Sequence, residues 1–322
     1  MIISKTPFRV SLFGGSTDYE SFYSEHGSLL IGFGINKYCY ILIRKTPQIF
    51  NHKTKVYYSS VEIVNNNNKI KHNGVRGVLE FLKIKYGLEI THLGDLPSQT
   101  GIGSSSSFIV GLLNVLYTLK KTEVGRKRLA EEAIYIERTL LAETGGIQDQ
   151  IWAAYGGMNS IHINKDGSFE VKPLPISDQL IENFFDRSIL IHTGQTRQSY
   201  KIAKSHDTQK NNVSKREIFA IAEEAYEKFI VGDIDAIGKL LHKSWIAKQQ
   251  ISSLISNQKV AKIYRALQED GMVGGKLLGS GGEGFLFGIL DSNVDISKFQ
   301  TKYKSHYVEC DLSREGSVII SG

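Results

Sequence analysis

The run Pro97-Ser98-Gln99-Thr100-Gly101-Ile102-Gly103-Ser104-Ser105-Ser106 constrains this chain more than any other stretch. From Ser104 onward, Phe108, Leu112, Val115 or Leu116 and Leu119 recur at helical spacing, so a helix starts where the glycines end. A helix start exposes unpaired backbone N–H groups and a partial positive charge, and both attract anions. Gly101 and Gly103 carry no Cβ, which lets the backbone approach an anion closely. Ser104 to Ser107 add four hydroxyls and a candidate magnesium ligand. A simple N-cap would account for Ser104 alone. It leaves Pro97, the Gly-x-Gly and the other serines without a reason.

Several nucleotide-binding signatures are excluded. No Gly-Lys-[Ser/Thr] occurs, so this is not a Walker loop, and neither Asp-Phe-Gly nor His-Arg-Asp is present. Gly279-Ser280-Gly281-Gly282-Glu283-Gly284 spells Gly-x-Gly-x-x-Gly, but a strand-like run, Phe285 to Leu290, follows it. A dinucleotide motif must open a helix after the first strand. Five glycines within 274–282, plus Gly284, exceed what a hairpin turn needs, so a tight loop packed against a ligand or another loop is expected.

At 322 residues, with 41% hydrophobic and 22% charged residues, the chain reads as a globular enzyme of two modest domains. Cys39 and Cys310 make neither a disulfide framework nor a metal site. The beginning of the chain lacks a leader's apolar stretch, and Leu29 to Ile43 is broken by Asn36-Lys37, so a cytoplasmic protein outside the membrane is expected. The net charge of +6 is spread along the chain, with one cluster at 120–128. No zinc-finger spacing or RNA-binding signature accompanies it, so no nucleic-acid partner is expected.

The pattern is α+β, with mixed sheets backed by helices. Strands are expected over 2–13, 29–46 and 55–64, a helix over 74–86 and a strand over 88–95. Helices follow from Ser104, over 127–143 and over 147–155, then strands over 158–163 and 168–173. Pro173 and Pro175 mark a boundary between residues 1–173 and 174–322. The second part reads as a strand over 188–193 and helices over 196–209, 214–231, 233–250 and 257–270. Strands over 273–279 and 284–290, a helix near 294–304 and a strand over 306–312 complete it.

Two carboxylates stand out. Asp149, in Gly145-Gly146-Ile147-Gln148-Asp149-Gln150, is either a helix cap or a group that accepts or orients a substrate hydroxyl proton. Glu137 shares an apolar helical face with Ala133, Ile134 and Leu141, and a carboxylate so placed needs a cation or metal beside it.

Three segments, in order, resemble the motifs of the GHMP kinase superfamily: Thr6 to Tyr19, Leu96 to Ser106 and Lys276 to Gly284. The resemblance spans residues 5 to about 290. It implies a two-domain fold, with an N-terminal mixed-sheet ATP-binding domain and a C-terminal ferredoxin-like α/β domain. It also implies ATP and Mg²⁺. Pro97 and Gly101 to Ser106 (Gly101, Ile102, Gly103, Ser104, Ser105, Ser106) would hold the triphosphate, and Ser105 with Glu137 the metal. Asp149 and Arg9 would be catalytic, and Thr17, Asp18, Gly281 and Gly282 would meet the acceptor. Ser16 and Glu283 stand where the family commonly has glycine. Gly14 to Asp18, Gly146 to Gln150, Thr193-Gly194-Gln195-Thr196-Arg197 and Ser244-Trp245 with Lys248 are similar to the heptose 7-phosphate kinases of that superfamily. Such enzymes phosphorylate the anomeric hydroxyl of a sugar phosphate, and Thr196, Arg197 and Lys248 would bind the phosphate already present. An anomeric kinase of galactose or L-fucose, or a non-catalytic sugar or ATP sensor, are the alternatives. Oligomeric state, a homodimer included, is not specified.

Overall fold

The computed structural model describes residues 1–194 and 212–321. Two antiparallel or mixed sheets carry the chain. The larger has eight strands and is built around two long ones, β1 (Ile2–Phe13) and β2 (Ser28–Lys45). These pair antiparallel from Ile2↔Ile43 to Phe13↔Ile31, with register shifts between Pro7 and Phe8 and between Ser11 and Phe13. β2 is long enough to serve two neighbours. Its second half pairs with β5 (Leu88–Gly94) and its first half with β6 (Met158–Ile163). Beyond β5 lie β3 (Thr54–Tyr57), which runs parallel to it, and the edge strand β4 (Val61–Val64). β7 (Phe169–Pro173) pairs with β6. The smaller sheet has the order β8 (Ser188–His192), β10 (Phe285–Leu290), β9 (Met272–Leu277), all antiparallel.

Helices cover these sheets through apolar faces. The helix at Ser104–Leu119 is buried from Ser106 to Tyr117, because it lies across β1 and β2 with further helices on its other side. Asn212–Val231 and Ile234–Ile251 pack on each other, the second also on β9. Gly238 and Gly274 make that contact possible: a Cβ on Gly274 would stand 2.0 Å from the Gly238 carbonyl oxygen. No helix among the described residues is long and apolar enough to cross a membrane.

Several expectations change. Residues 55–64 are not one strand but the β3–β4 hairpin, turned at Tyr58-Ser59-Ser60. The helix expected over 74–86 spans Asn73–Phe81 and gives way at Lys83, whose φ is 54°. The helix expected over 127–143 is α-helical over Arg126–Tyr135 and closes with one wider π turn over Ile136–Leu140. No strand forms over 306–312, where isolated bridges join Ile191 to Tyr307 and Ile35 to Leu312. Among the described residues four elements went unread: helices Glu20–His26 and Asp178–Asp186, the latter capped by Ser177, the 3-10 turn Asn67–Lys69 and the strand Val318–Ser321. That last strand pairs with β1, so the end of the chain returns to the first sheet across the 173/174 boundary. The helix expected over 196–209 lies outside the described residues.

The two glycine loops, 97–103 and 278–284, meet backbone to backbone. Phe285 N donates to Thr100 O at 3.1 Å, and a Cβ on Gly284 (φ 124°) would stand 2.2 Å from that same oxygen. Gly284→Ala is therefore expected to lower stability by at least about 2 kcal/mol, through a strained φ and a backbone collision. Gly125→Ala, with nothing within 4 Å of the added carbon, should stay within about 0.5 kcal/mol of the parent. Urea midpoints would check this; equal midpoints for the two variants would show that the loops do not meet as described.

Candidate active site

Arg9 organises the site from β1. Its backbone N–H donates to Ile102 O at 3.1 Å and its Nη1 to Gly101 O at 2.5 Å. Its Nε and Nη2 donate to Asp149 Oδ1 and Oδ2 at 2.9 and 2.8 Å, a bidentate fork. Gly103, at φ 75°, sits where a Cβ would be 3.2 Å from Arg9 Cγ and 3.5 Å from Asp149 Oδ2. Asp149 belongs to the first turn of the helix Gln148–Tyr155 and keeps 27% of its side chain exposed, so it faces the cleft while paired. It does not cap that helix, whose N-cap is Ile147 with no side-chain bond.

The helix start beside Arg9 opens on the cleft. Its N-cap is Gly103, not Ser104, and no side chain caps it. Ser104, Ser105 and Ser106 all line the cleft. Ser106 Oγ donates to Glu137 Oε2 at 2.7 Å, Gln150 Nε2 donates to the same oxygen, and the Ser105 hydroxyl also bonds the carboxylate. Glu137 is fully buried by the π turn, and burial raises its carboxyl above the usual range against the pull of Arg138. Pro97 and Ile102 do not touch the cleft, which corrects their role. Pro97 is exposed and its carbonyl closes a turn with Thr100, while Ile102 is an apolar anchor in the core.

On the acceptor side, Asp18 is buried and lines the cleft. Its carboxylate takes Ser16 N at 3.1 Å and Gln148 N at 3.3 Å, and burial, then Asp149, raises its carboxyl. Gly146 leaves room for it, since a Cβ there would stand 1.8 Å from Asp18 Oδ2. Thr17 is different. Its hydroxyl donates to Gly14 O at 2.7 Å and contacts Ser28 Oγ, away from the cleft, so it holds the turn instead of meeting an acceptor.

Lys248 lines the cleft but donates to Leu277 O at 3.1 Å and Gly279 O at 2.5 Å. Burial pushes its amine well below the lysine range. It is a tether for the 278–284 glycine loop, not the expected phosphate-binding cation. Gly281 reaches the cleft, whereas Gly282 turns its N–H to Ile255 O at 2.7 Å. Glu283 also lines the cleft, with Asn257 Nδ2 3.5 Å from its carboxylate. Thr196 and Arg197 lie outside the described residues.

The cleft encloses about 1140 Å³, room for two ligands of ordinary size. Two sets of its lining residues were not singled out from sequence. One is Lys276, from β9, whose Nζ donates to Leu12 O at 2.9 Å and whose pKa burial pushes down to about 7. A lysine within the apolar run Met272–Leu277 was the available signal. The other is an aromatic end: His72 stacks on Phe108 with ring centroids 4.8 Å apart, and His92 and Tyr58 meet these rings edge-on. Burial lowers both imidazoles, His92 to about 4, so both rings are neutral at physiological pH.

Comparisons with known proteins give the family and the fold. The family models for the GHMP kinases N terminal domain and the GHMP kinases C terminal match residues 73–157 and 221–309. A D-glycero-alpha-D-manno-heptose 7-phosphate kinase from Campylobacter jejuni is 28% identical, over 98% of this chain and 97% of its own length. A galactokinase from Pyrococcus furiosus is 25% identical over 83% of this chain and 72% of its own. Among solved structures, a D-glycero-D-manno-heptose 1-phosphate kinase from Bacteriodes thetaiotaomicron superposes with a TM-score of 0.82 at 20% identity, covering 100% of this chain and 99% of its own. With both family domains matched in order around a shared cleft, the chain belongs to the GHMP kinases.

Proposed function

We propose that this kinase transfers the γ-phosphoryl group of ATP to the anomeric hydroxyl of a heptose 7-phosphate. The observation that carries phosphoryl transfer is the Arg9–Asp149 fork set against an uncapped, serine-lined helix start in one cleft. The acceptor rests on the likeness to the Campylobacter jejuni kinase, which covers nearly the whole of both chains. The solved neighbour's name also contains heptose phosphate but gives a different position.

In this reading the base of ATP lies against the neutral His72, Phe108 and His92 rings, and its triphosphate against the N–H groups of Ser104 to Ser106. Glu137 and Ser105 offer hard oxygen ligands suited to Mg²⁺, which when bound would neutralise triphosphate charge. Asp149 orients the anomeric hydroxyl. The oxygen–phosphorus bond forms as the bond from γ-phosphorus to the β,γ-bridging oxygen breaks, and ADP leaves. Asp149 accepts the hydroxyl proton in the course of the transfer. Arg9 offsets negative charge on the transferring group.

Asp149→Ala should lower kcat by at least about 100-fold while the KM for ATP moves by less than about threefold. Near-normal ADP release by that variant would remove Asp149 from the chemistry. The acceptor is tested with a panel of heptose 7-phosphate, galactose, L-fucose and mannose, read by ADP release. A kcat/KM for heptose 7-phosphate at least about 100-fold above the free sugars is expected, since binding energy from a phosphate remote from the reacting hydroxyl is spent on the transfer. Preference for galactose or L-fucose would replace this acceptor with that sugar.

A further inference from the structure

Gly15 lies between the Arg9 strand and Asp18, and three polar groups from different elements converge over its Cα. A Cβ there would stand 3.3 Å from Ser11 Oγ, 3.7 Å from Gln148 Nε2 and 3.9 Å from Lys276 Nζ. All four residues line the cleft. Ser11 is 6% exposed, and its hydroxyl is buried without a hydrogen-bond partner among the described residues. Gln148 is 8% exposed, and its Oε1 is likewise unpartnered. Lys276 is 3% exposed, and among the described residues its Nζ donates to Leu12 O alone. Unmet buried hydrogen-bonding groups are costly, so their concentration beside a cleft points to a ligand that completes them.

We propose that Ser11, Gln148 and Lys276 form a niche over Gly15 that receives a hydroxyl of the acceptor sugar and so determines acceptor specificity. The inference rests on the kinase reading above and adds the residues that read the sugar's far edge. Ser11 and Arg9 are two positions apart on a regular stretch of β1, so both face the cleft while Val10 turns into the core. That places the niche roughly 7 Å from the reacting end, about the width of a pyranose ring. A hydroxyl fits better than a phosphate dianion. It can donate to the unpartnered Ser11 Oγ while accepting from Lys276 Nζ, and a dianion has no proton to donate. The nearby Asp18 carboxyl would also oppose a second anion. Gly15 is the residue that keeps the space open.

The test compares heptose 7-phosphate with its 2-, 3- and 4-deoxy analogues in the wild type and in Gly15→Ala, Ser11→Ala and Lys276→Met, each confirmed folded by its melting curve. The wild type should disfavour one analogue by about tenfold or more in kcat/KM, the worth of one lost hydrogen bond. Each variant should lose most of that discrimination, chiefly through a higher KM for the parent sugar, and keep the wild-type ratios for the other two analogues. Ser11→Ala removes a single oxygen, so it carries the test if Gly15→Ala does not fold. Wild-type ratios in folded variants, or a wild type indifferent to all three analogues, would overturn the niche while leaving the kinase reading intact. No turnover of any acceptor by the wild type would overturn both.

Discussion

The guanidinium of Arg9 ties together three stretches of chain that are far apart in sequence. Through Gly101 O and Asp149 it joins the first strand to the cradle and to the helix after the double glycine, and its own N–H adds Ile102 O. Arg9 is 4% exposed, and a buried guanidinium is tolerable only with such partners. The rest of the site depends on this arrangement. Asp149 is aimed by it, Gly103 is small because of it, and the helix start is left uncapped beside it. Arg9 thus has a structural task, and in the function proposed above it has a chemical one as well.

A second constraint comes from the close approach of the two glycine loops. Gly101, Gly279 and Gly284 are at positive φ and within backbone contact of one another or of Thr100 and Leu278. The smaller sheet is thereby fastened to the cradle, and Lys248, from the helix packed on β9, holds the 278–284 loop by donating to Leu277 O and Gly279 O. The strand β9 leading into that loop carries Lys276 into the cleft floor. An acceptor would therefore touch residues from both sheets, which suits a reaction that depends on positioning.

The parts of this design legible in sequence were those written in residue type and local spacing. The cradle, the helix from Ser104 and the carboxylates Glu137 and Asp149 stood out because glycine, serine and misplaced acids break an ordinary pattern. The excess of glycine in 274–284 likewise foretold a loop packed on another loop. What could not be read was how each polar group is used. Thr17 and Lys248 look like ligand-binding residues until their hydrogen bonds to backbone carbonyls are seen. Lys276 was hidden for the opposite reason, because its burial, not its type, makes it notable. The split at Tyr58 to Ser60 and the bridges at 307 and 312 show that β-like composition is decided by partner strands distant in sequence.

These features suit phosphoryl transfer to a sugar, and the function proposed above puts the new ester at the anomeric carbon of a heptose already phosphorylated elsewhere. Phosphorus-31 NMR of the mixture formed from ATP, Mg²⁺ and heptose 7-phosphate tests this directly. The account predicts a new phosphate signal coupled to the anomeric proton, together with ADP and the retained 7-phosphate. Transfer to another oxygen, or ADP formed without a new ester, would contradict it.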